Sequence, residues 1–436
     1  MGNVGRRVFL NSKTIAGTVF TGLTLRVHAG ERNELKVGLI GCGGRGNGAA
    51  RNTLNADSNT KLYAVADAFL PKAQAAAEGL KTAFEDRVDV GDRVFSGLDA
   101  YKNVVDLCDV VLLCEAPGFR YRSLAYAVER GKHIFCEKPV AVDAPAIRSV
   151  MESSRIAKEK GLTLVSGLCW RYDYNVRDIM QRVLDGAIGD ITSARLTYCG
   201  GRAWTRPRAE DDTELMAQVR NWYNYTWLSG DFNVEQHVHT LDKALWAMGD
   251  VPPAVCYALG SRMQRTDQPD YGDIYDSMAS VFEYTNGVTF YSYCRQQNGC
   301  WGENNARFAG TKGYVTSTLG KGTITDLDGK VVYERQNVPS DMYTIEHQEM
   351  YKSIRGEVDV INNGDYMAKA TMMAIISREA CYSGARLNWD DAINSDKSYA
   401  PSSYDENGTP WNVPDENGRI KIQVPGLGLV YHTVTR

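Results

Sequence analysis

From Leu35 onward, short uninterrupted apolar runs alternate with amphipathic stretches of helical period. KVGLI, KLYAVAD, CDVVLLCE (108–115), KHIFCEKP (132–139) and LTLVSGL (162–168) are the runs, and their continuous apolarity is that of strands buried on both faces. FRYRSLAYAVERG (119–131) and APAIRSVMESSRIAKEKG (144–161) space their apolar residues as helices and each closes on a glycine. Alternation of this kind predicts a parallel, doubly wound α/β sheet, which binds ligands beyond the carboxyl ends of its strands. A helical pattern returns after the aromatic stretch RNWYNYTWLSG. From about Val234 to Gly249, Val238, Leu241, Leu245 and Trp246 recur at helical spacing, and Asp231 or Asn233 is placed to cap the start.

The first strand runs into Gly41-Cys42-Gly43-Gly44-Arg45-Gly46, followed by an alanine-bearing stretch able to continue as a helix. Gly41 suits the tight turn, Gly43 lets backbone amides approach a pyrophosphate, and Gly46 permits close strand–helix packing. Unpaired N–H groups and the helix dipole then favour the pyrophosphate charge. Asp67 ends the second strand, 21 positions beyond Gly46 (67 − 46). A carboxylate there hydrogen-bonds an adenosine ribose and repels a 2′-phosphate, so NAD is favoured over NADP, with Arg45 in the turn pulling the other way. Glu137, Lys138 and Pro139 close the fourth of these runs and are placed at the mouth of the same site.

Taken together, the glycine turn, the GKHIFCEKP segment, GAIGDI (186–191), Gly310-Thr311-Lys312-Gly313 and Glu235…His239-x-x-Asp242 resemble the glucose–fructose oxidoreductase / inositol dehydrogenase (Gfo/Idh/MocA) family over about Leu35 to residue 396. The resemblance implies an N-terminal Rossmann domain, a C-terminal α/β domain with an open, mostly antiparallel sheet, and nicotinamide-dependent oxidation or reduction of a sugar or polyol. It carries the family's strand-end lysine onto Lys138 and its substrate-site histidine onto His239. Glu235 stands where the family usually has Asp, and His237 where it usually has a small residue. The family's histidine in the helix after Pro117 has no counterpart in the Tyr121-Arg122-Ser123 region.

Oxidising a secondary alcohol requires removal of the hydroxyl proton as hydride leaves the carbinol carbon. His239 is expected as general base and Lys138 as the charge that polarises the same oxygen. Glu235 is expected to hold a neighbouring hydroxyl or orient His239. On an ideal helix Glu235, His239 and Asp242 share one face, with Asp242 a structural partner, and His237 lies about 200° from Glu235. His237 is a candidate for substrate contact or for a bond to a backbone carbonyl. Trp204, Trp222 and Tyr223 are candidates for stacking on a sugar, or for packing the domain interface. The His-x-His pair diverges on a helix and no H-E-x-x-H motif is present, so no metal is expected.

At 436 residues the chain suits two domains, drawn at 34–168 and 169–396. A net charge of −4 gives no electrostatic reason to expect nucleic acid or an anionic membrane as partner. The ten cysteines lack a C-x-x-C pair and several sit in apolar runs, which favours reduced thiols. Residues 1–29 resemble a twin-arginine signal, with Arg6-Arg7-Val8-Phe9-Leu10, an apolar run too short to span a bilayer, and Val27-His28-Ala29 as a cleavage site. Periplasmic export is expected, with a cytoplasmic location the alternative. Outside the cytoplasm free nicotinamide is scarce, so a tightly held NAD follows. Residues 397–436 are turn-rich and are read as an extended tail, an arm on the partner of a homo-oligomer. Two rival functions stay open: glycoside cleavage by transient oxidation and elimination, and NAD or sugar binding without turnover.

Overall fold

The computed structural model describes residues 34–265 and 271–431. The leader assigned to residues 1–29 lies outside the described residues. Six strands form the first sheet: β1 (Leu35–Ile40), β2 (Thr60–Asp67), β3 (Val94–Ser96), β4 (Val110–Leu113), β5 (His133–Cys136) and β6 (Leu164–Ser166). Their order is β3-β2-β1-β4-β5-β6 and every pairing is parallel. Residues 110–113 are wholly buried, as expected for strands covered on both faces. The order reverses between β1 and β4, and a crevice opens there at the carboxyl ends.

Helices Gly44–Ala56, Pro117–Glu129 and Ala144–Glu159 fall where the periodicity places them. Leu70–Phe84 and Tyr101–Leu107 add two more that the apolar pattern did not mark. The final strand is shorter than the apolar run 162–168, because Ile361 and Asn363 bond the backbone of Leu164 and the chain then turns into a single 3-10 turn, Cys169–Tyr172.

The second domain is built on nine strands: β7 (Ile191–Gly200), β8 (Val255–Ser261), β9 (Ser277–Glu283), β10 (Thr289–Gln296), β11 (Glu303–Gly310), β12 (Gly313–Thr318), β13 (Lys321–Asp326), β14 (Val331–Arg335) and β15 (Leu387–Asn388). The order is β14-β13-β12-β11-β7-β10-β9-β8-β15, antiparallel except for β7 against β10. Burial alternates along β10, so one face packs on helices and the other is open. The open face carries Tyr257, Leu259, Tyr291 and Tyr293. Helix Gly364–Ser383 lies against both Ala144–Glu159 and Val238–Ala247, tying the two domains together.

Two expectations need correction. The segment after Gly230 is not one α-helix. Asn233–His237 form a wider π turn, and the α-helix proper is Val238–Ala247. Asp231 does not cap it. Held at a φ of +80°, it is buried, and its carboxylate accepts from the amides of Phe232 and Tyr275 and from the Tyr382 hydroxyl. Burial raises its pKa to about 6. The C-terminal tail, read as extended, folds back on its own chain instead. Tyr399 is buried and donates to Glu379 at 2.7 Å, Asn412 donates to Asp273 at 3.0 Å, and a hairpin of β16 (Lys421–Val424) and β17 (Gly428–Tyr431) receives the Tyr275 hydroxyl at Gln423 O. Its aromatic and amide side chains find partners on their own chain.

Candidate active site

A cleft of about 1130 Å3 opens at the carboxyl ends of β1, β2, β4 and β5 and is walled on its far side by the second domain. Gly41 turns the chain at a φ of +89°, and a Cβ there would lie 2.3 Å from the Glu115 amide nitrogen. A Cβ on Gly46 would meet the Gly41 carbonyl oxygen at 1.9 Å, so strand and helix touch through backbone. Around Gly43 and Gly44, by contrast, a Cβ would find open space. Helix Gly44–Ala56 has no side-chain cap and no acidic residue in its first turn, which leaves its amides to an anion in the cleft. This cradle fits a dinucleotide pyrophosphate.

Asp67 lines the cleft, its carboxylate accepting from the amides of Cys42 (2.8 Å) and Phe69 (3.0 Å). Those bonds fix the carboxylate while leaving lone pairs for ribose hydroxyls. Arg45 lines the same cleft but is already engaged. Its Nε pairs with the buried Glu137 at 2.8 Å, and its guanidinium lies 4.5 Å from the Tyr343 ring centroid. The one cation of the glycine turn is therefore already paired by Glu137 and covered by Tyr343.

Lys138 leaves the end of β5 through a cis peptide to Pro139. Its Nζ donates to Glu235 Oε1 at 2.9 Å and to the Glu235 carbonyl oxygen at 2.6 Å. Glu235 thus pairs with the lysine, and among the described residues it makes no bond to His239, one of the two parts expected of it. His239 lines the same cleft, stacked on Trp170 with centroids 4.8 Å apart and planes 22° from parallel. Its Nδ1 is buried and has no hydrogen-bond partner among the described residues, leaving Nε2 as the nitrogen available to the cleft. Burial, then the charges of Lys138 and Lys243, hold the imidazole well below its usual pKa, in the neutral form a base needs. Asp242 turns away to the Arg171 guanidinium, with bonds of 2.8–3.0 Å, the structural part expected of it.

Two candidates fall outside the cleft. His237 is fully buried and its Nε2 meets the Ser292 hydroxyl on β10 at 2.6 Å, so it contacts neither substrate space nor a backbone carbonyl. The π turn sends it to the sheet rather than the opening. Tyr223 is buried behind Trp222, its hydroxyl accepting from Gln296 at 2.7 Å. Trp204 and Trp222 do line the cleft and meet edge to face at 5.8 Å.

Trp204 belongs to a roof over the cleft, of which the sequence analysis singled out only this one residue. Residues 201–213 leave the end of β7 and lead to helix Glu214–Arg220, whose Arg220 lies 4.3 Å over the Phe69 ring, two residues past Asp67. The loop is fastened by Arg206 N–H to Asn221 (2.9 Å), Arg208 to Glu214 (2.6 Å) and Arg220 to Asp212 (2.6 Å). Trp170 and Tyr343 were also missed. Each sits beside the cleft without motif or spacing to announce it, apart from the position of Trp170 just past β6.

Among the described residues, no three His, Cys, Asp or Glu side chains gather to hold a metal ion, and no helix is long and apolar enough to cross a membrane. All ten cysteines are free, most of them buried. The arrangement brings one amine, one carboxylate and one neutral imidazole to a single opening beside the nucleotide cradle. That is the equipment for moving a proton to or from an alcohol.

Comparison with known proteins bears on the identity of the cleft. Residues 35–168 match a family model described as "Oxidoreductase family, NAD-binding Rossmann fold", and residues 176–316 match the "GFO/IDH/MocA C-terminal domain". Inositol 2-dehydrogenase of Rhizobium meliloti is 26% identical over 253 residues, 58% of this chain and just under two thirds (66%) of the relative. D-glucoside 3-dehydrogenase of Escherichia coli is 26% identical over 269 residues, 58% of this chain and 68% of the relative. Among solved structures, aldose–aldose oxidoreductase from Caulobacter crescentus complexed with glycerol superposes with a TM-score of 0.63 at 18% identity, covering 82% of this chain and 100% of that one.

Proposed function

Because this chain belongs to the Gfo/Idh/MocA oxidoreductase family and carries its NAD-binding Rossmann domain, we propose that it moves a hydride between a secondary alcohol of a sugar or polyol and a tightly held NAD. The observation that carries this reading is the convergence of Lys138 and His239 on one opening beside the glycine cradle. Nicotinamide, when bound, supplies the hydride acceptor. The chain's own groups do the rest. Two N–H bonds of the Lys138 ammonium go to Glu235, which leaves the third to donate to a substrate oxygen. Neutral His239 takes the hydroxyl proton at Nε2, and the lysine charge stabilises the alkoxide that develops. Glu235 fixes the lysine, and Trp204 and Trp222 offer faces to the sugar.

The roof over residues 201–213 supports retention of the nucleotide, since it spans from the end of β7 to the Asp67–Phe69 end of the cleft. A retained cofactor must be reoxidised in place by a second substrate. The comparisons do not favour a glycoside-cleaving cycle over this reading. Nucleotide analysis of the protein as purified, followed by a screen of sugars and polyols in pairs as hydride donor and acceptor, tests the proposal. Recovery of bound NAD with turnover of a carbohydrate alcohol is expected; a protein that binds no nicotinamide nucleotide contradicts it.

Two further parts of the proposal rest on other features. Residues 1–29, with Arg6 and Arg7, direct export to the periplasm, so Arg6→Lys with Arg7→Lys should leave the precursor in the cytoplasm. The open sheet face, with Leu259, Tyr291 and Tyr293 exposed, supports a homo-oligomer, which light scattering in solution will size.

A further inference from the structure

A catalytic histidine is usually oriented by a carbonyl or carboxylate that accepts from its second ring nitrogen. His239 has no such partner: its Nδ1 is buried and unbonded among the described residues. What it has is the face of Trp170, at 4.8 Å. The same indole is approached by a second group from the same helix. Lys243, one turn beyond His239, is 1% exposed, and its Nζ lies 4.6 Å from the Trp170 ring centroid. That ammonium donates to the Ser317 carbonyl oxygen on β12 at 2.9 Å. Nothing in the proposed chemistry uses it, and a fully buried lysine is costly enough to call for an explanation.

We propose that Trp170 and Lys243 are the positioning residues of His239: the indole fixes the plane of the imidazole, and the buried ammonium behind it adds to burial and to Lys138 in keeping the ring unprotonated. The inference rests on the reading of His239 as the base. The charged groups around the pair are few. Lys138 faces His239 across the cleft, with its charge shared by Glu235. Asp173 and Asp242 face Lys243, and Asp242 is bonded to Arg171. Burial lowers the Lys243 ammonium to about 7, against the pull of those two carboxylates. Below pH 7 it is therefore charged over the range in which a free imidazole would take up its proton. An adjacent positive charge opposes that uptake.

Carbon-13 NMR of the histidine-labelled full-length protein tests this, with the His239 resonance assigned by its loss in His239→Asn. Lys243→Met and Lys243→Gln, the second of which keeps an N–H for the Ser317 carbonyl, should each raise the His239 titration midpoint by about one pH unit. Lys243→Arg, which keeps the charge, should leave it near the wild-type value. Trp170→Leu should split or broaden the resonance, whereas Trp170→Phe should restore a single line. A folded neutral variant with an unmoved midpoint, or an arginine variant that shifts as far as the neutral ones, overturns the proposal. The base assignment fails separately, if His239→Asn retains full turnover whatever its NMR shows.

Discussion

Lys138, at the end of a strand in the nucleotide-binding domain, holds both the side chain and the main-chain carbonyl of Glu235 in the other domain, at 2.9 and 2.6 Å. With side chains only 16% and 13% exposed, the pair is shielded enough from water for its geometry to persist. It locks the π turn carrying Glu235 against the cofactor side of the cleft, one helical turn from His239. The substrate opening is thus formed by a contact across the domain boundary.

Removing either end of the proton-handling pair should show in rate. Lys138→Met and His239→Asn are each expected to lower kcat/KM by about 10²–10⁴-fold. NAD affinity, followed by fluorescence titration, should change much less. Glu235→Gln keeps a hydrogen-bond acceptor for the lysine and should cost less than either. Equal and small losses in all three would remove the assignment.

The glycine turn makes a contrast between neighbours. Gly46→Ala pushes a methyl into the Gly41 carbonyl and should destabilise the fold by about 1–3 kcal/mol, seen as a lower Tm. Gly43→Ala meets nothing in the chain itself. It should keep the Tm and weaken NAD binding by tenfold or more, because the methyl stands in the approach of the pyrophosphate.

Cofactor choice follows from where Arg45 is spent. With that guanidinium held by Glu137 and Tyr343, the wild type should prefer NAD. Asp67→Ser should raise the NADP/NAD ratio of binding constants by about tenfold, a shift measurable by competition titration. A wild type that copurifies with NADP would contradict the role given to Asp67.

His237 makes stability depend on pH. Burial lowers its imidazole to about 3, against roughly 6.5 in the unfolded chain. Unfolding between those values takes up a proton, so the stability tied to this residue is present above pH ~6.5 and is lost as pH falls toward 3. His237→Asn carries no such proton. The Tm advantage of wild type over this variant should therefore shrink between pH 7 and pH 4.5, and a constant difference would show that His237 does not titrate as described.

The nucleotide half of the cleft was legible because its signals are local. A glycine that must turn at positive φ, an acidic residue at a strand end and unbroken apolar runs are all read over a few neighbouring residues. The substrate half was legible only in part. Lys138, Glu235 and His239 do meet, but ideal helical spacing gave no warning of the π turn, which sends His237 to Ser292 and Glu235 to Lys138. Trp170 and Tyr343 come to the site from distant parts of the chain, and Lys243, on the helix of His239, reaches it only through the indole of Trp170. Their positions depend on packing between elements, and single-sequence periodicity does not encode that. Turn-rich composition likewise describes the path of the tail but not the surface of its own chain that receives it.

That surface has a practical consequence. Tyr399 packs with Leu215, Val219 and Trp227, in the cluster that backs helix Glu214–Arg220 and the side of Phe69 facing it. Trimming the chain before residue 397, or threading a bulky fusion through that stretch, would undermine the wall from behind. The first symptom would be nucleotide leaking from an otherwise intact enzyme, so purification handles belong elsewhere.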